Sequence, residues 1–246
     1  MEKIKTFWKE KGLPALKWFF FSFIWLFILM LITDIVTKQV VLANREYLYH
    51  NTFEYIKNGK PTTMTGHDLI NGFLGISYVI NDSAAFGIGL NNPVATRIMY
   101  IIVTTIISAV LVFFYIKSYK KLGKYVKSTM MLILAGAIGN LIDRIFYSGS
   151  TIAVSGASLP NNGVVDWINF YGIWQYNFNW ADSCLVVGVF MLIIYLIVTE
   201  IIDWKKSQKD KPKLEKGEKV LSKEEQSRLE ASIREEEKTE NKENNE

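Results

Sequence analysis

Four long stretches of the chain carry no charged side chain: Trp18 to Thr33, Ile98 to Ile116, Ser128 to Ile142 and Ser183 to Thr199, of 16, 19, 15 and 17 residues. An α-helix rises about 1.5 Å per residue and the hydrocarbon core of a bilayer is about 30 Å thick, so each stretch with its polar flanks is long enough to cross it. The bilayer core offers no water to backbone N–H and C=O groups. Helix is therefore the conformation open to such runs, and strand readings of Ile101 to Val103 and Ile193 to Ile197 fall away. Four transmembrane helices are expected. Between them, Leu74 to Ile80 and Val164 to Ile168 have strand-like composition, and the aromatic stretch Phe170 to Phe178, with Gly172 as a turn candidate, follows the second. The expected fold is an all-α membrane protein with a small extracytoplasmic β-sheet lying on the outer leaflet.

The hydrophobic fraction of 50% hides an uneven distribution. From Lys205 to Glu246 there are 12 Lys and Arg, 12 Asp and Glu, and six aliphatic residues, too few to bury a core. Residues 1–204 are read as the four-helix domain and residues 205–246 as a charged, disordered cytoplasmic tail, in which Ser222 to Glu237 has the makings of a transient helix. The net charge of +4 comes from the apolar body, with its basic residues dispersed between apolar runs, which argues against nucleic-acid binding. The single cysteine, Cys184, excludes an intrachain disulfide, and with two histidines, His50 and His67, it leaves no recognisable zinc-ligand set.

Lysine placement sets the orientation. Lys3, Lys5, Lys9, Lys11 and Lys17 precede the first run, Lys117, Lys120, Lys121, Lys124 and Lys127 lie around the link between the second and third, and Lys205, Lys206 and Lys209 follow the fourth. By the positive-inside tendency these three segments are cytoplasmic, and Val41 to Pro93 and Ile145 to Trp180 are outside. Both termini then lie in the cytoplasm. Val41-Leu42-Ala43 offers small residues to a signal peptidase, but the apolar run is longer than a usual signal-peptide core and Asp34 and Lys38 intervene, so the first span is expected to remain uncleaved.

Ionisable residues in this arrangement gather at the outer face: Asp34, Asp143, Arg144, Asp166 and Asp182. Such groups near lipid are costly unless paired or functional. Several have structural readings. Asp34 and Lys38 have the i, i+4 spacing of a helical ion pair. Asn179 and Asp182 have the spacing of a helix N-cap and its third residue. Asp143 and Arg144 suit an interfacial charge pair. Asp166, between Val165 and Trp167 and with no basic residue within 20 positions, has no such excuse. Two carboxyls sharing a site do not both ionise easily, so one retains a proton while the other acts as base toward water, which is the chemistry of an aspartyl hydrolase.

Five blocks of the sequence resemble the signatures of lipoprotein signal peptidase, also called signal peptidase II: Asp34-Ile35-Val36-Thr37-Lys38, Asn81-Asp82-Ser83-Ala84-Ala85-Phe86, Gly136 to Arg144, Val164 to Ile168, and Phe178-Asn179-Trp180-Ala181-Asp182-Ser183. The resemblance covers roughly Trp18 to Trp204. It implies a catalytic pair of Asp166 and Asp182. It further implies that Asn81, Asn140, Arg144 and Asn179 line the site, that Asp34 and Lys38 support it together with Asp143, and that the small residues Ala84, Ala85, Gly136, Gly139 and Ala181 let a substrate approach closely. The implied partners are diacylglyceryl-modified bacterial prolipoproteins, cut before the lipidated cysteine, and membrane lipids. The enzyme is expected to be a monomer of the cell membrane with no cofactor, and Lys38 and Arg144 among the carboxylates argue against a metal, since two fixed positive charges repel a divalent ion.

Some features depart from the family pattern. Ser83 stands where the second block usually has glycine, the two outer segments are longer than usual, and the charged tail is additional. A small transporter or channel with an outer carboxylate vestibule is the alternative of a different class, and a membrane scaffold is another. Neither accounts for the five blocks. No G-x-G-D of a presenilin-like protease occurs, and the histidines are outside the spans where a rhomboid-like pair would need one. Cys184 is read as a packing residue.

Overall fold

The computed structural model describes residues 11, 13–57, 59–82, 92–171, 173–174, 176–210 and 225–234. Ser83, Ala84, Ala85 and Gly172 lie outside the described residues. The chain divides into two compact units, Met1–Ile197 and Val198–Glu246.

Helices α1 (Leu13–Ser22) and α2 (Ile24–Ala43) come first, then the short α3 (Arg45–His50) and strands β1 (Thr52–Lys57), β2 (Lys60–Thr65), β3 (His67–Ile70) and β4 (Leu74–Asn81). Helices α4 (Pro93–Ser118) and α5 (Lys124–Phe146), strand β5 (Val164–Asn169) and helix α6 (Trp180–Asp210) complete the order. Among the described residues four helices are long and apolar enough to cross a membrane: α2, α4, α5 and residues Trp180–Gln208 of α6. Helix α5 is the most buried of the four and packs against both α2 and α4.

The first apolar run is not one element. Phe23 adopts a left-handed conformation (φ 60°) and separates α1 from α2, so the span starts at Ile24 rather than Trp18 and extends to Ala43. Asp34 and Lys38 consequently lie inside the helix rather than at its outer end. At α4, Pro93 takes the first helical position and the Asn92 side chain accepts hydrogen bonds from the N–H groups of Val94 and Ala95, at 2.9 and 3.2 Å.

Two antiparallel sheets lie between the spans, where one was expected. Strands β1 and β2 form a hairpin, and a three-stranded sheet has the order β3-β4-β5. In the second sheet Val79 is opposite Asp166 and Asn81 is opposite Val164. Among the described residues of Phe170 to Phe178 none lies in a strand, and Phe178 makes a single bridge to Ile168. The reason is Tyr171: its ring is buried against Phe53 and Tyr55, and its hydroxyl accepts from Gly72 N–H and donates to Asp68, so the chain turns around it.

An apolar cluster of Val41, Leu42, Leu48, Tyr78, Ile80, Tyr147, Ile152, Val154 and Val165 joins the end of α2, α3, β4 and the loop before β5. Polar contacts hold the same loop: Arg45 donates to Ala153 O at 2.8 Å and Tyr78 Oη donates to Ile152 O at 2.7 Å. The longer outer segment is thus a packed roof that fixes β5 over the helix ends. In the second unit, residues 198–210 are helical, and residues 225–234 form a helix with every side chain exposed.

Candidate active site

Two backbone features bring the polar residues together. Asn179 caps α6 reciprocally: its Oδ1 accepts from Asp182 N–H at 3.0 Å, and Asp182 Oδ2 accepts from Asn179 N–H at 3.1 Å. Strand β5 presents Asp166 to the same place. The Asn179 Nδ2 donates to Asp166 Oδ1 at 2.8 Å and to Asn140 Oδ1 at 3.0 Å, so one side chain serves the strand, the cap and α5. The capping reading of Asn179 and Asp182 is correct and coexists with their place in the site.

Each carboxylate accepts from neutral amides. Asp166 Oδ2 accepts from Asn81 Nδ2 at 2.9 Å, and Asp182 Oδ1 accepts from Asn140 Nδ2 at 2.6 Å. Asp166 is 2% exposed, whereas Asp182, Asn81 and Arg144 are only partly buried and mark the open side. Burial, followed by the Asp182 charge, pushes the Asp166 carboxyl up to about 7, against the opposing effect of the Asn81 and Asn179 hydrogen bonds.

A buried ionic layer lies beneath this pair. Lys38 Nζ is 2.8 Å from Asp34 Oδ2, 2.9 Å from Asp143 Oδ2 and 3.2 Å from Asn140 Oδ1, which matches its three donors to three acceptors. The expected i, i+4 pair is therefore present and has a second carboxylate. Asp143, expected beside Arg144, accepts from Lys38 and from Val165 N–H at 3.2 Å, and so fixes the residue before Asp166. Asp34 Oδ1 accepts from Ala181 N–H at 2.9 Å, fixing the residue before Asp182. The layer positions the backbone on the N-terminal side of both carboxylates. Among the described residues no group of three or more His, Cys, Asp or Glu side chains is arranged to hold a metal ion, and the Lys38 ammonium takes the place between Asp34 and Asp143.

Gly136 and Gly139 are required by close approach. A Cβ at Gly136 would lie 2.3 Å from Ala181 O, and one at Gly139 would lie 2.5 Å from Asp34 Oδ2 and 3.0 Å from Ala181 Cβ. Glycine at these two positions lets α5, α2 and the start of α6 meet. Ala181 is 1% exposed at that junction, where it fills the packing between the helices.

Two contributors have no counterpart in the sequence reading. Arg97 of α4 donates to Arg144 O at 2.6 Å and Ile145 O at 3.0 Å, satisfying carbonyls at the end of α5. Tyr100 of α4 carries the Arg144 guanidinium over its ring at 5.2 Å, while Arg144 Nη1 donates to Asn140 O at 3.1 Å. A basic residue at the mouth of the second apolar run and a tyrosine one turn further in were the available signals.

Four apolar helices with two amide-bound carboxylates brought together at one end fit a membrane-embedded hydrolase of the aspartic type. Comparison with known proteins agrees. A family model described as signal peptidase (SPase) II matches residues 26–198, and the chain belongs to that family, an aspartic peptidase family whose members remove signal peptides from prolipoproteins. The chain is 29% identical over 172 residues to the lipoprotein signal peptidase of Fusobacterium nucleatum, a match spanning 70% of this chain and 84% of that protein. It is 33% identical over 132 residues to the lipoprotein signal peptidase of Clostridioides difficile, spanning 54% of this chain and 76% of that one. A bacterial membrane enzyme solved by the in meso method at 2.3 Å is similar with a TM-score of 0.53 at 26% identity, covering 80% of this chain and 93% of its own. A second, solved at 1.9 Å, has a TM-score of 0.51 at 29% identity, covering 70% and 90%. The family assignment supports the peptidase over the transporter or channel.

Proposed function

We propose that Asp166 and Asp182 are the catalytic residues of this peptidase and share one proton. The observation that carries this reading is the double role of Asn179, which binds Asp166 through its side chain and Asp182 through its cap, so that the two carboxyls are held in one frame. Asp166, the more deeply buried, is the favoured holder of the proton, and Asp182, toward the open side, is the base.

Water attacks the scissile carbonyl carbon and gives a proton to the ionised carboxylate, while the protonated carboxyl donates to the carbonyl oxygen. The C–N bond then breaks, the leaving nitrogen takes the proton held by the pair, and a carboxylic acid and an amine result. Arg144 and Asn81, at the open edge, have donors suited to peptide carbonyls of the substrate.

The proposed substrate is a prolipoprotein whose cysteine carries diacylglycerol, with the cut just before that cysteine. The lysine distribution supports cytoplasmic termini and a site at the outer face of the cell membrane. Residues 1–204 form the catalytic part, which acts as a monomer, and residues 205–246 are a solvated appendage. Incubating the purified protein with diacylglyceryl-modified precursor and with its unmodified form tests the reaction: cleavage of the modified form alone is expected, and equal cleavage of both would remove the lipid from the recognition.

A further inference from the structure

Helix α1 lies before the region that matches the family model and has no part in the site described above. Its sequence, Leu-Pro-Ala-Leu-Lys-Trp-Phe-Phe-Phe-Ser, is apolar but for Lys17 and the closing serine, yet it exposes Leu13, Leu16, Trp18, Phe20 and Phe21 by about half each. A helix with this surface is not stable in water.

It is also surplus to the span. Helix α2 alone has 20 residues and an apolar length sufficient to cross the hydrocarbon. The break at Phe23 stands at the level where the neighbouring spans end. Tyr115, three residues before the end of α4, donates to Ser22 O, and Phe23, Ile24 and Phe27, like Tyr119 and Leu122 in the connection between α4 and α5, pack against a buried cluster of Tyr115, Met130, Met131 and Leu134. Trp25 Nε1 donates to Phe20 O at 3.2 Å across the break, and Ser22 Oγ accepts from Ile24 N–H at 3.4 Å. A left-handed bulky residue is costly and persists where its surroundings fix it. Those bonds hold the turn, so α1 leaves the bundle in a set direction.

Lysines surround it. Lys11 and Lys17 are exposed, the Lys124 ammonium is 5.0 Å from the centre of the Phe21 ring, and the Trp18 ring is 6.4 Å from that of Tyr119, which itself faces Lys127 at 3.7 Å. Aromatic rings interleaved with lysines beside the end of a spanning bundle match the chemistry of the headgroup layer, where rings settle at the acyl boundary and ammonium groups meet anionic phosphates.

We propose that α1 lies in the plane of the headgroup layer, on the membrane face that carries the amino terminus, and together with the connection between α4 and α5 forms a platform for anionic phospholipid. Neither the sidedness of the protein nor its peptidase activity enters this inference.

Leu13, Leu16 and Phe20 follow i, i+3, i+7 and share one helix stripe, so in an in-plane helix they have one depth. Spin labels at these positions and at Ile28 in α2, each in full-length Cys184→Ser protein reconstituted in phosphatidylglycerol vesicles, report depth through collisions with oxygen and a water-soluble nickel complex. The three α1 labels are expected at a common depth about 5–10 Å below the headgroups, with Ile28 deeper. A steady change of roughly 10 Å from Leu13 to Phe20, as in a helix continuing α2 at about 1.5 Å per residue, overturns the proposal, as do three labels with the nickel accessibility of bulk water. In phosphatidylcholine vesicles nickel accessibility is expected to rise at least about twofold, and unchanged accessibility would remove the anionic lipid from the proposal.

Discussion

The Asn179 amide donates to Asp166 Oδ1 at 2.8 Å, joining a helix cap to the strand that lies over it. Cap and strand cannot move independently without breaking a bond between two side chains that are almost completely buried. That coupling holds one carboxyl on each of two elements in a single hydrogen-bonded frame.

The ionic layer is expected to be the most sensitive part of the fold. Lys38→Met leaves Asp34 and Asp143 buried with no cation between them, and removing one partner of a buried ion pair costs about 3–5 kcal/mol. The midpoint of thermal unfolding in detergent should fall by many degrees, and the double variant Lys38→Met/Asp143→Asn should recover part of the loss. An unchanged midpoint for Lys38→Met would mean that the layer is not a support.

Much of this site was legible beforehand because membrane solvation makes charges conspicuous. Asp166 stood out as an acid with no basic neighbour, and Asp34 with Lys38 as a helical pair. The second partner of Lys38 was not legible, since Asp143 is 105 positions away and its neighbour Arg144 offered a local alternative. The four spans followed from length and charge, but the break at Phe23 did not, because an uncharged run is the same whether one helix or two pass through it. Strands β1 to β3 were missed for the opposite reason. Their short mixed sequences, Thr-Phe-Glu-Tyr-Ile-Lys, Lys-Pro-Thr-Thr-Met-Thr and His-Asp-Leu-Ile, lack the apolar run that marked β4 and β5, although Asn58-Gly59 is a hairpin signal.

Close packing at the two glycines gives a second expectation. Gly136→Ala places a methyl against the Ala181 carbonyl, and Gly139→Ala places one against the Asp34 carboxylate, and overpacking of this sort costs about 1–3 kcal/mol. Both should lower stability in a detergent melt. Gly136→Ala should lower it more, since its obstacle is backbone while that of Gly139 is mainly a side chain. Equal or higher stability would show that α5 is not in the contact described, with α6 in the case of Gly136 and chiefly with α2 in the case of Gly139.

The pH profile offers a third. Burial and the neighbouring Asp182 raise the Asp166 carboxyl to about 7. A carboxyl raised in the folded state supports folding fully below its unfolded value of about 3.9 and loses that support as pH rises through about 7. Turnover should fall as pH rises past about 7, where the folded pair loses its shared proton. Asn81→Leu removes a donor that favours the ionised form and should move that limb upward. A limb that moves downward in a kcat against pH series would reverse the role given to Asn81.

Two regions should be dispensable for chemistry. Cys184 is buried and free, and residues 205–208 and 225–234 of the tail are exposed. Cys184→Ser and truncation after Lys211 should each leave turnover within a few-fold. A loss beyond about tenfold, roughly 1.4 kcal/mol in the barrier, would place either one in the mechanism.

If Asp166 and Asp182 act as one acid–base pair, turnover of diacylglyceryl-modified prolipoprotein by Asp166→Asn and Asp182→Asn must reveal it. Asparagine keeps the shape of aspartate and removes its proton chemistry, so each variant should insert in the membrane, bind the precursor and lose activity by at least about 10³-fold, within the range for positioned acid–base groups. The double variant should be no slower than either single one, because the residues act as a unit. Near-normal turnover in either single variant, with membrane insertion and precursor binding intact, would contradict the account.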